Sequence, residues 1–279
     1  MRRLSRALLT AGAALAAWLV MALVTTDFGV PERWPRRARR VLAVFPHADD
    51  ETVTCGGTLH RLARGGARVV LVLLTEGERG TPGGDPAAGL RAVRAAEARA
   101  AGRRLGAAAV LQADFGDGEL EHRRRAASAF LDATIRRERP HLIVTYDRAG
   151  LYGHPDHVAC SAVVTELRDR RHPATTLWHT ALPGRVLGVM RWAGQLSTTP
   201  EVERRRAPPT HRVFVGRDLF AKRAAWARYR SQRQAMARGV ARLLPLWLVV
   251  FLQPYEHFTE VAAPGRPDPP RVAPPRAAG

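Results

Sequence analysis

Short apolar, β-branched runs alternate along this chain with segments whose apolar positions recur at helical spacing. Strands are predicted at 41–45, 68–75, 108–112, 141–146, 176–180, 212–215 and 258–261. Helices are predicted at 52–64, 88–105, 123–137, 158–170 and 218–236. Because strands that alternate with helices form parallel sheets, the pattern predicts an α/β fold with a mainly parallel sheet. The stretch 183–209 shows no regular period and is a candidate insert for substrate recognition.

Two polar strings follow two of the predicted strands. Residues 46–51 read Pro-His-Ala-Asp-Asp-Glu, and residues 153–157 read Gly-His-Pro-Asp-His. If both strands are parallel, the strings meet at the carboxyl edge of the sheet, where open α/β sheets bind ligands. Zinc in hydrolases takes three His or carboxylate ligands and keeps one position for water. The two strings together therefore predict one metal site.

The residue types in the two strings indicate which side chains can ligate the metal and which can transfer protons. His47 can ligate through an imidazole nitrogen, and of the adjacent Asp49 and Asp50 one can ligate while the other serves as general base. His154 and His157 are three residues apart, so they share one side of a helical turn. One of these histidines can ligate while the other stabilises an oxyanion or protonates a leaving amine.

Helix capping is the alternative explanation for the carboxylates. Asp49, Asp50 or Glu51 could cap a helix that starts near Thr52, and Asp156 could cap the next helix. In the metal interpretation Asp156 instead holds an imidazole in one tautomer. Two His/Asp strings, each at a strand end, favour the metal interpretation.

The strings resemble those of the PIG-L/LmbE-type zinc N-deacetylase family, which includes N-acetylglucosaminyl-phosphatidylinositol deacetylases and the deacetylases of mycothiol synthesis. Weaker similarities are the string Thr-Glu-Gly-Glu-Arg-Gly at 75–80, the string Asp-Phe-Gly-Asp-Gly at 114–118, and Lys222, Ser231 and Gln232. The resemblance covers residues 38–262. It implies a Rossmann-like three-layer sandwich and a hydrolase that acts on an N-acetylated amino sugar.

Carried over position by position, the resemblance implies Zn²⁺ held by His47, Asp50 and His157, with Fe²⁺ as an alternative metal. Asp49 would be the general base. The other implied catalytic residues are His154 at the oxyanion, Tyr152 beside it and Asp156, and Arg79 would contact substrate. Ala48 departs from the family pattern, which has proline there; its loss loosens the loop but removes no ligand.

The composition argues against some classes of protein but does not itself indicate a function. The formal net charge is +19, almost all of it from arginine, and Lys222 is the only lysine. No zinc-finger spacing or aromatic–basic nucleic-acid string accompanies the charge, so a solvated arginine-rich surface is favoured over a specific nucleic-acid partner. The two cysteines, Cys55 and Cys160, are too few for a disulfide framework and are predicted to be buried thiols.

The N-terminal segment predicts a membrane anchor. Residues 7–25 carry no charge, and as a helix they would span about 28 Å. No cleavage site follows cleanly, so an uncleaved single-pass anchor is favoured over a signal peptide. The arginines that follow it favour a cytoplasmic catalytic domain. A second apolar run, 243–252, is too short to span; it is predicted to be buried or to dip into the membrane interface.

These observations divide the chain into an anchor or signal segment at 1–30, a basic linker at 31–40, a deacetylase domain at 41–262 and a disordered Pro/Arg/Ala tail at 263–279. The leading hypothesis is a zinc enzyme that removes acetyl from an N-acetylglucosamine-type sugar, either a small molecule or a lipid-linked or envelope glycan. Two others stay open: a zinc amidase or esterase on another acylated conjugate, and a non-catalytic basic protein at the membrane surface.

Overall fold

The computed structural model describes residues 2–80, 89–192, 196, 198–232 and 253–265. Its strands are β1 Arg40–Phe45, β2 Arg68–Leu73, β3 Ala109–Gln112, β4 Leu142–Tyr146, β5 Thr176–Ala181, β6 His211–Phe214 and β7 Tyr255–Val261. Its helices are α1 Arg2–Thr25, α2 Asp50–Arg64, α3 Leu90–Arg104, α4 Arg124–Glu138, α5 Gly150–Gly153, α6 Pro155–Arg171, α7 Gly184–Trp192, α8 Pro200–Arg205 and α9 Asp218–Trp226.

The described strands form one mixed sheet in the order β3-β2-β1-β4-β5-β7-β6. The first five strands in that order run parallel, β7 pairs antiparallel with β5, and β6 pairs antiparallel with β7. β1 and β4 are direct neighbours, with Val41 opposite Leu142 and Ala43 opposite Val144. The predicted α/β fold with a mainly parallel sheet is therefore confirmed.

Helices cover both faces of the sheet because the central strands are apolar on both sides. Val41, Ala43 and Phe45 of β1 pack towards α2, α3 and α9, whereas Leu42 and Val44 pack towards α4 and α6. All five side chains are almost fully buried. The sheet is thus packed between two apolar layers, so polar ligands can reach it only at its edges.

Several predicted element boundaries differ from the structure. Helices predicted from 52 and 158 begin earlier, at Asp50 and Pro155, so parts of both polar strings lie in first helical turns. The helix predicted for 218–236 ends at Trp226, and a short 3₁₀ turn, Arg230–Gln232, follows it; residues 233–236 lie outside the described residues. The segment 183–209, predicted to be irregular, contains α7 and α8.

The N-terminal segment is helical, as α1, but the prediction of a membrane anchor is wrong. Within the part of the chain that the structure describes, no helix is both long enough and apolar enough to cross a membrane. The single-pass topology and the membrane partner inferred from this helix are corrected with it. The apolar run 243–252 and residues 266–279 of the tail lie outside the described residues.

The segment that was predicted to be a basic linker runs along the antiparallel side of the sheet. The amide of Asp27 donates to Nε2 of His257 at 3.0 Å, and the amide of Arg33 donates to the carbonyl of Arg212 at 2.9 Å. Backbone pairing of this kind adds the segment to the edge strand β6. The two cysteines are free thiols and fully buried, as predicted.

A buried ion pair supports a kink in α2. At Cys55 the backbone leaves helical geometry, with φ −143° and ψ 16°, which frees amides in the next turn. Gly57 and Thr58 donate those amides to the Glu256 carboxylate at 3.0 and 2.7 Å, and Nζ of Lys222 donates to the same carboxylate at 2.7 Å. Because Lys222 and Glu256 are both buried, each charge depends on the other.

We expect Glu256→Gln to lower the free energy of unfolding by about 3–5 kcal/mol, because it removes a buried carboxylate charge that pairs with the buried Lys222 at 2.7 Å. Urea unfolding measures this. Glu260→Gln is the matched control on the same strand: Glu260 pairs with Arg33 at 3.4 Å at the surface, so its loss should change stability by at most about 1 kcal/mol. Equal effects of the two substitutions would contradict the role of the buried pair.

Candidate active site

The two His/Asp strings meet at the carboxyl edge of the sheet because β1 and β4 are parallel neighbours. His47 follows β1 and His157 lies in the first turn of α6, yet their ring centroids are 5.3 Å apart. The ring of His154 lies 5.0 Å from that of His47 and 4.8 Å from that of His157. The structure therefore brings together side chains that are about a hundred residues apart in sequence.

One nitrogen of His47 is committed to carboxylates. Its Nε2 lies 3.1 Å from Oδ1 of Asp117 and 3.1 Å from Oδ2 of Asp156. Burial opposes the charged form of His47, but the hydrogen bonds to Asp117, Asp156 and Asp50 outweigh it and raise the pKa of His47 well above its ordinary value. A proton on Nε2 leaves Nδ1 as the nitrogen available to a metal ion.

Asp156 is held by backbone amides rather than used as a helix cap. Oδ2 accepts from the amide of Gly118 at 2.7 Å and Oδ1 from the amide of Leu120 at 3.1 Å. The cap of α6 is His154, whose Nδ1 accepts from the amide of Asp156 at 3.2 Å. Asp156 thus orients an imidazole, and the imidazole is that of His47.

Asp50 lies between two imidazoles. Its Oδ2 is 3.5 Å from Nδ1 of His47 and 3.6 Å from Nε2 of His157, and its Oδ1 accepts from the Tyr146 hydroxyl at 2.7 Å. Burial would raise the pKa of Asp50, but the charges of His157 and His47 and the hydrogen bonds outweigh it, so the pKa is strongly lowered. Asp50 is therefore an ionised oxygen donor.

His157 presents Nε2 as a lone-pair donor. Its Nδ1 lies 3.2 Å from the carbonyl of Gly150, which fixes the proton on Nδ1. The ring stacks on Tyr146 with centroids 4.2 Å apart and planes at 10°. Burial lowers the pKa of His157 to about 4, so the imidazole is neutral at physiological pH. A neutral, oriented imidazole is the form that binds metal ions.

These donors suit a divalent cation. Donors that share a tetrahedral zinc ion lie about 3.3–3.5 Å apart, close to the separations between Asp50 and the two histidines. Two other sets of possible donors lie mutually within 4.8 Å among the described residues: nitrogens of His47, His154 and His157, and His47 with Asp117 and Asp156. In the second of these sets the carboxylates contact Nε2 of His47 at 3.1 Å, so they are placed to orient that imidazole.

Asp49 lies beside these donors in a strained conformation. Its φ of 118° is in the left-handed region that favours glycine, and its side chain makes no capping hydrogen bond to α2. The Asp49 amide donates to Oε2 of Glu51 at 3.2 Å, and the hydroxyls of Tyr229 and Thr52 hold Oε1 of that buried carboxylate at 2.7 and 2.6 Å. Glu51 therefore maintains the turn that Asp49 alone would not adopt.

Desolvation and the neighbouring charge of Asp50 raise the pKa of Asp49 to about 8, against an opposing effect of Arg94. A carboxyl whose pKa lies near neutrality can both accept and return a proton. Asp49 is thus a candidate general base, adjacent in sequence to the candidate ligand Asp50. The capping explanation accounts for neither Asp49 nor Asp50.

Arg94 is a site residue that the sequence analysis missed. Its guanidinium is buried and donates to the carbonyl of Ala48 at 2.9 Å. A Cβ at Gly77 or Gly80 would collide with the Arg94 guanidinium, so these glycines leave room for it. The glycine spacing in the string at 75–80 was the available signal.

Asp117 was also missed, although the string at 114–118 contains it. Its Oδ2 accepts from the amide of Arg79 at 2.9 Å, and its own amide donates to Oε1 of Glu78 at 3.0 Å. The Arg79 side chain is itself half-exposed, with NH1 3.7 Å from Glu119. Arg79 therefore contributes to the site through its backbone.

Tyr152 lies at the rim of the site. Its side chain is 45% exposed, and its ring lies edge-on to His157 at 5.1 Å and to His154 at 6.0 Å between centroids. The ring can therefore contact a ligand that enters from solvent towards the histidines.

Comparison with known proteins bears on this geometry. A family model described as GlcNAc-PI de-N-acetylase (PIG-L) matches residues 42–167, the segment that carries both His/Asp strings. The chain contains a PIG-L family domain. A 1D-myo-inositol 2-acetamido-2-deoxy-alpha-D-glucopyranoside deacetylase of Rhodococcus erythropolis is 39% identical over 153 residues, which are 46% of this chain and 52% of that protein. The match spans about half the length of that relative.

Solved structures show the same fold. The N,N'-diacetylchitobiose deacetylase of Pyrococcus horikoshii superposes with a TM-score of 0.60 over 82% of this chain and 85% of that one, at 21% identity. The 4-carboxy-2-hydroxymuconate hydratase GalB of Pseudomonas putida does so with a TM-score of 0.56 over 83% of this chain and 100% of that one, at 19% identity. At such identities the likeness establishes the fold of the PIG-L domain and not its reaction.

We expect Asp156→Asn to weaken Zn²⁺ binding about 10- to 100-fold, because the carboxylate that orients His47 is lost while its ligating nitrogen stays. Competition with a chromophoric chelator measures the affinity. Asp132→Asn is the matched control: Asp132 also contacts a histidine, His172 at 2.8 Å, but on helices α4 and α6 away from the strings. A drop of the same size in both variants would contradict the orienting role of Asp156.

Proposed function

We propose that the protein is a metal-dependent N-deacetylase that hydrolyses the acetamide of a small N-acetylglucosamine-type amino sugar. The observation that carries the proposal is the donor set of His47 Nδ1, Asp50 Oδ2 and His157 Nε2 beside the high-pKa carboxyl of Asp49. The PIG-L match and the names of the relatives support the amide substrate.

Zn²⁺ suits this mixture of two imidazoles and one carboxylate, and Fe²⁺ accepts the same donors. The residues that would hold the ion are His47, Asp50 and His157. Asp117 and Asp156 add negative charge behind His47, which favours a cation at this place. When bound, a divalent cation polarises the amide carbonyl and lowers the pKa of water.

Asp49 takes the proton from the attacking water. Its raised pKa means that the protonated form persists long enough to return that proton to the departing amine. The strained turn held by Glu51 keeps the carboxyl beside Asp50 instead of letting it relax into a helix cap.

His154 supplies a second proton donor. Because its Nδ1 accepts from the amide of Asp156, the proton of the neutral ring lies on Nε2. Burial and the neighbouring His47 lower the pKa of His154, so the neutral ring predominates near pH 7. Its N–H is then available to hydrogen-bond the carbonyl oxygen as negative charge develops on it. Tyr152 at the rim is placed to assist at the same oxygen.

The test measures free amine released from N-acetylglucosaminyl compounds by the Zn²⁺-loaded protein. We expect Asp49→Asn to lower kcat about 10²- to 10⁴-fold while Zn²⁺ still binds, because the base is removed and the ligands remain. Chelation should abolish turnover, and returned Zn²⁺ should restore it.

Asp114→Asn is the control for this experiment, since Asp114 is a half-exposed aspartate that pairs with Arg91 at the surface. It should turn over like the unaltered protein. Amine release that survives in the Asp49 variant would contradict the assigned base. Release of acid without amine, from an ester analogue alone, would move the proposal to an esterase.

A further inference from the structure

A partly enclosed apolar cavity lies at the carboxyl end of β5, between α2, α5 and α7. The aliphatic side chains on its wall come from four elements and the loop after β5: Val53 of α2, Leu151 of α5, Ala181 of β5, Leu182, and Val186 and Met190 of α7. The cavity has about 80 Å³ of space. None of the mechanism described above uses it.

The cavity begins one helical turn from the general base. The amide of Val53 donates to the carbonyl of Asp49 at 2.9 Å, and the hydroxyl of Thr54, also on the wall, donates to the carbonyl of Asp50 at 2.7 Å. On the other side of the opening, Leu151 lies between Gly150, whose carbonyl orients His157, and Tyr152. A group bound at the donors is therefore next to this space.

The wall at Leu151 is held in place against strain. Leu151 adopts φ 63° and ψ −66°, the rare γ-turn with positive φ. Its amide donates to Oδ1 of Asp147 at 3.1 Å, and its carbonyl accepts from Arg206 of the segment after α8 at 2.7 Å. A non-glycine residue keeps such a conformation only where its surroundings fix it, and here two side chains fix both backbone groups.

The opposite flank of the centre is polar. Towards β2 and β3 the site is bordered by Glu78, Arg79, Asp117 and Glu119. The two substituents of a trans secondary amide extend in opposite directions from the C–N bond. With the sugar hydroxyls on the polar flank, the acyl group extends towards Leu151 and the cavity.

We propose that this cavity is an acyl-binding subsite, and that the protein removes N-acyl groups of about four to six carbons from amino sugars in preference to acetyl. The inference rests on the proposed function. One water-sized group needs about 10–15 Å³ of such space, so the cavity holds on the order of five groups. An acetyl group would place a single methyl there and leave most of the apolar wall without contacts.

The polar groups on the wall do not call for a charged ligand. Lys222 and Glu256 pair with each other at 2.7 Å, and Nε2 of His257 accepts from the amide of Asp27. The buried hydroxyl of Thr180 has no hydrogen-bond partner among the described residues. Gln253 is the other uncharged polar side chain on that side of the wall, so the wall suits a mainly aliphatic chain without charge.

The test compares kcat/KM for N-acetyl-, N-butanoyl- and N-hexanoylglucosamine with the Zn²⁺-loaded protein. We expect the hexanoyl amide to exceed the acetyl amide by at least about tenfold, since a single methylene in an apolar pocket is worth about that much. Val186→Phe and Ala181→Leu fill the cavity from α7 and from β5. Each should lower the hexanoyl-to-acetyl ratio of kcat/KM at least about tenfold.

Val189→Phe is the matched control, because Val189 lies on the same helix but is 41% exposed and away from the cavity wall. It should leave the ratio unchanged. A ratio near one in the unaltered protein, or equal effects of Val186→Phe and Val189→Phe, would overturn the inference and leave the deacetylase proposal intact.

A further arm compares hexyl and methyl glycosides of N-acetylglucosamine. A preference for the hexyl glycoside that Val186→Phe removes would assign the cavity to the aglycone and overturn the acyl assignment. Release of amine from none of these compounds would overturn the proposed function itself, and this inference with it.

Discussion

The parallel pairing of β1 with β4 is the constraint on which the site depends. The two strands are about a hundred residues apart in sequence, and their register, Val41 against Leu142, places the loops that follow them at one edge. Apolar side chains on both faces of these strands fix that register, because a slip by one residue would exchange the two core layers. The histidines and aspartates of the two strings therefore lie close together because of how the hydrophobic core packs, and not because of their local sequence.

Once together, the charged groups stabilise one another. Ionised Asp50, Asp117 and Asp156 surround His47, and each is held by hydrogen bonds from an imidazole, a hydroxyl or backbone amides. Alone, such a concentration of buried negative charge would be strongly destabilising. Three sources of positive charge reduce this repulsion: a cation at the donors, the cationic form of His47 in the metal-free protein, and the buried guanidinium of Arg94. The arrangement that we propose binds a metal ion is thus also one that positive charge stabilises.

Sequence patterns predicted the fold and the cluster of histidines and aspartates, but not the residues that hold this cluster in place. Strand runs and His/Asp strings are local signals, so the parallel sheet and the meeting of His47 with His157 followed from them. Arg94 and Asp117 act across the sheet edge on partners far away in sequence, and neither stands in a periodic pattern. The membrane anchor was predicted from the length and the lack of charge of residues 7–25, but no described helix is both long and apolar enough to cross a membrane. The kink at Cys55 could not be predicted locally, because the Glu256 carboxylate that accepts from the amide of Gly57 lies about two hundred residues away.

Ala48 shows how the structure keeps the loop rigid where the family pattern has proline. Proline restricts a loop through its own φ, and alanine has no such restriction. Here the carbonyl of Ala48 is held by the buried Arg94, and the next residue, Asp49, is fixed in the left-handed region by Glu51. The hydrogen bonds of Arg94 and Glu51 thus restrict this loop in place of the φ restriction that proline would give. Arg94 reaches Ala48 past Gly77 and Gly80, so its side chain contacts both the loop after β2 and the loop after β1. We therefore expect a change in either loop to alter the position of Asp49, the proposed general base.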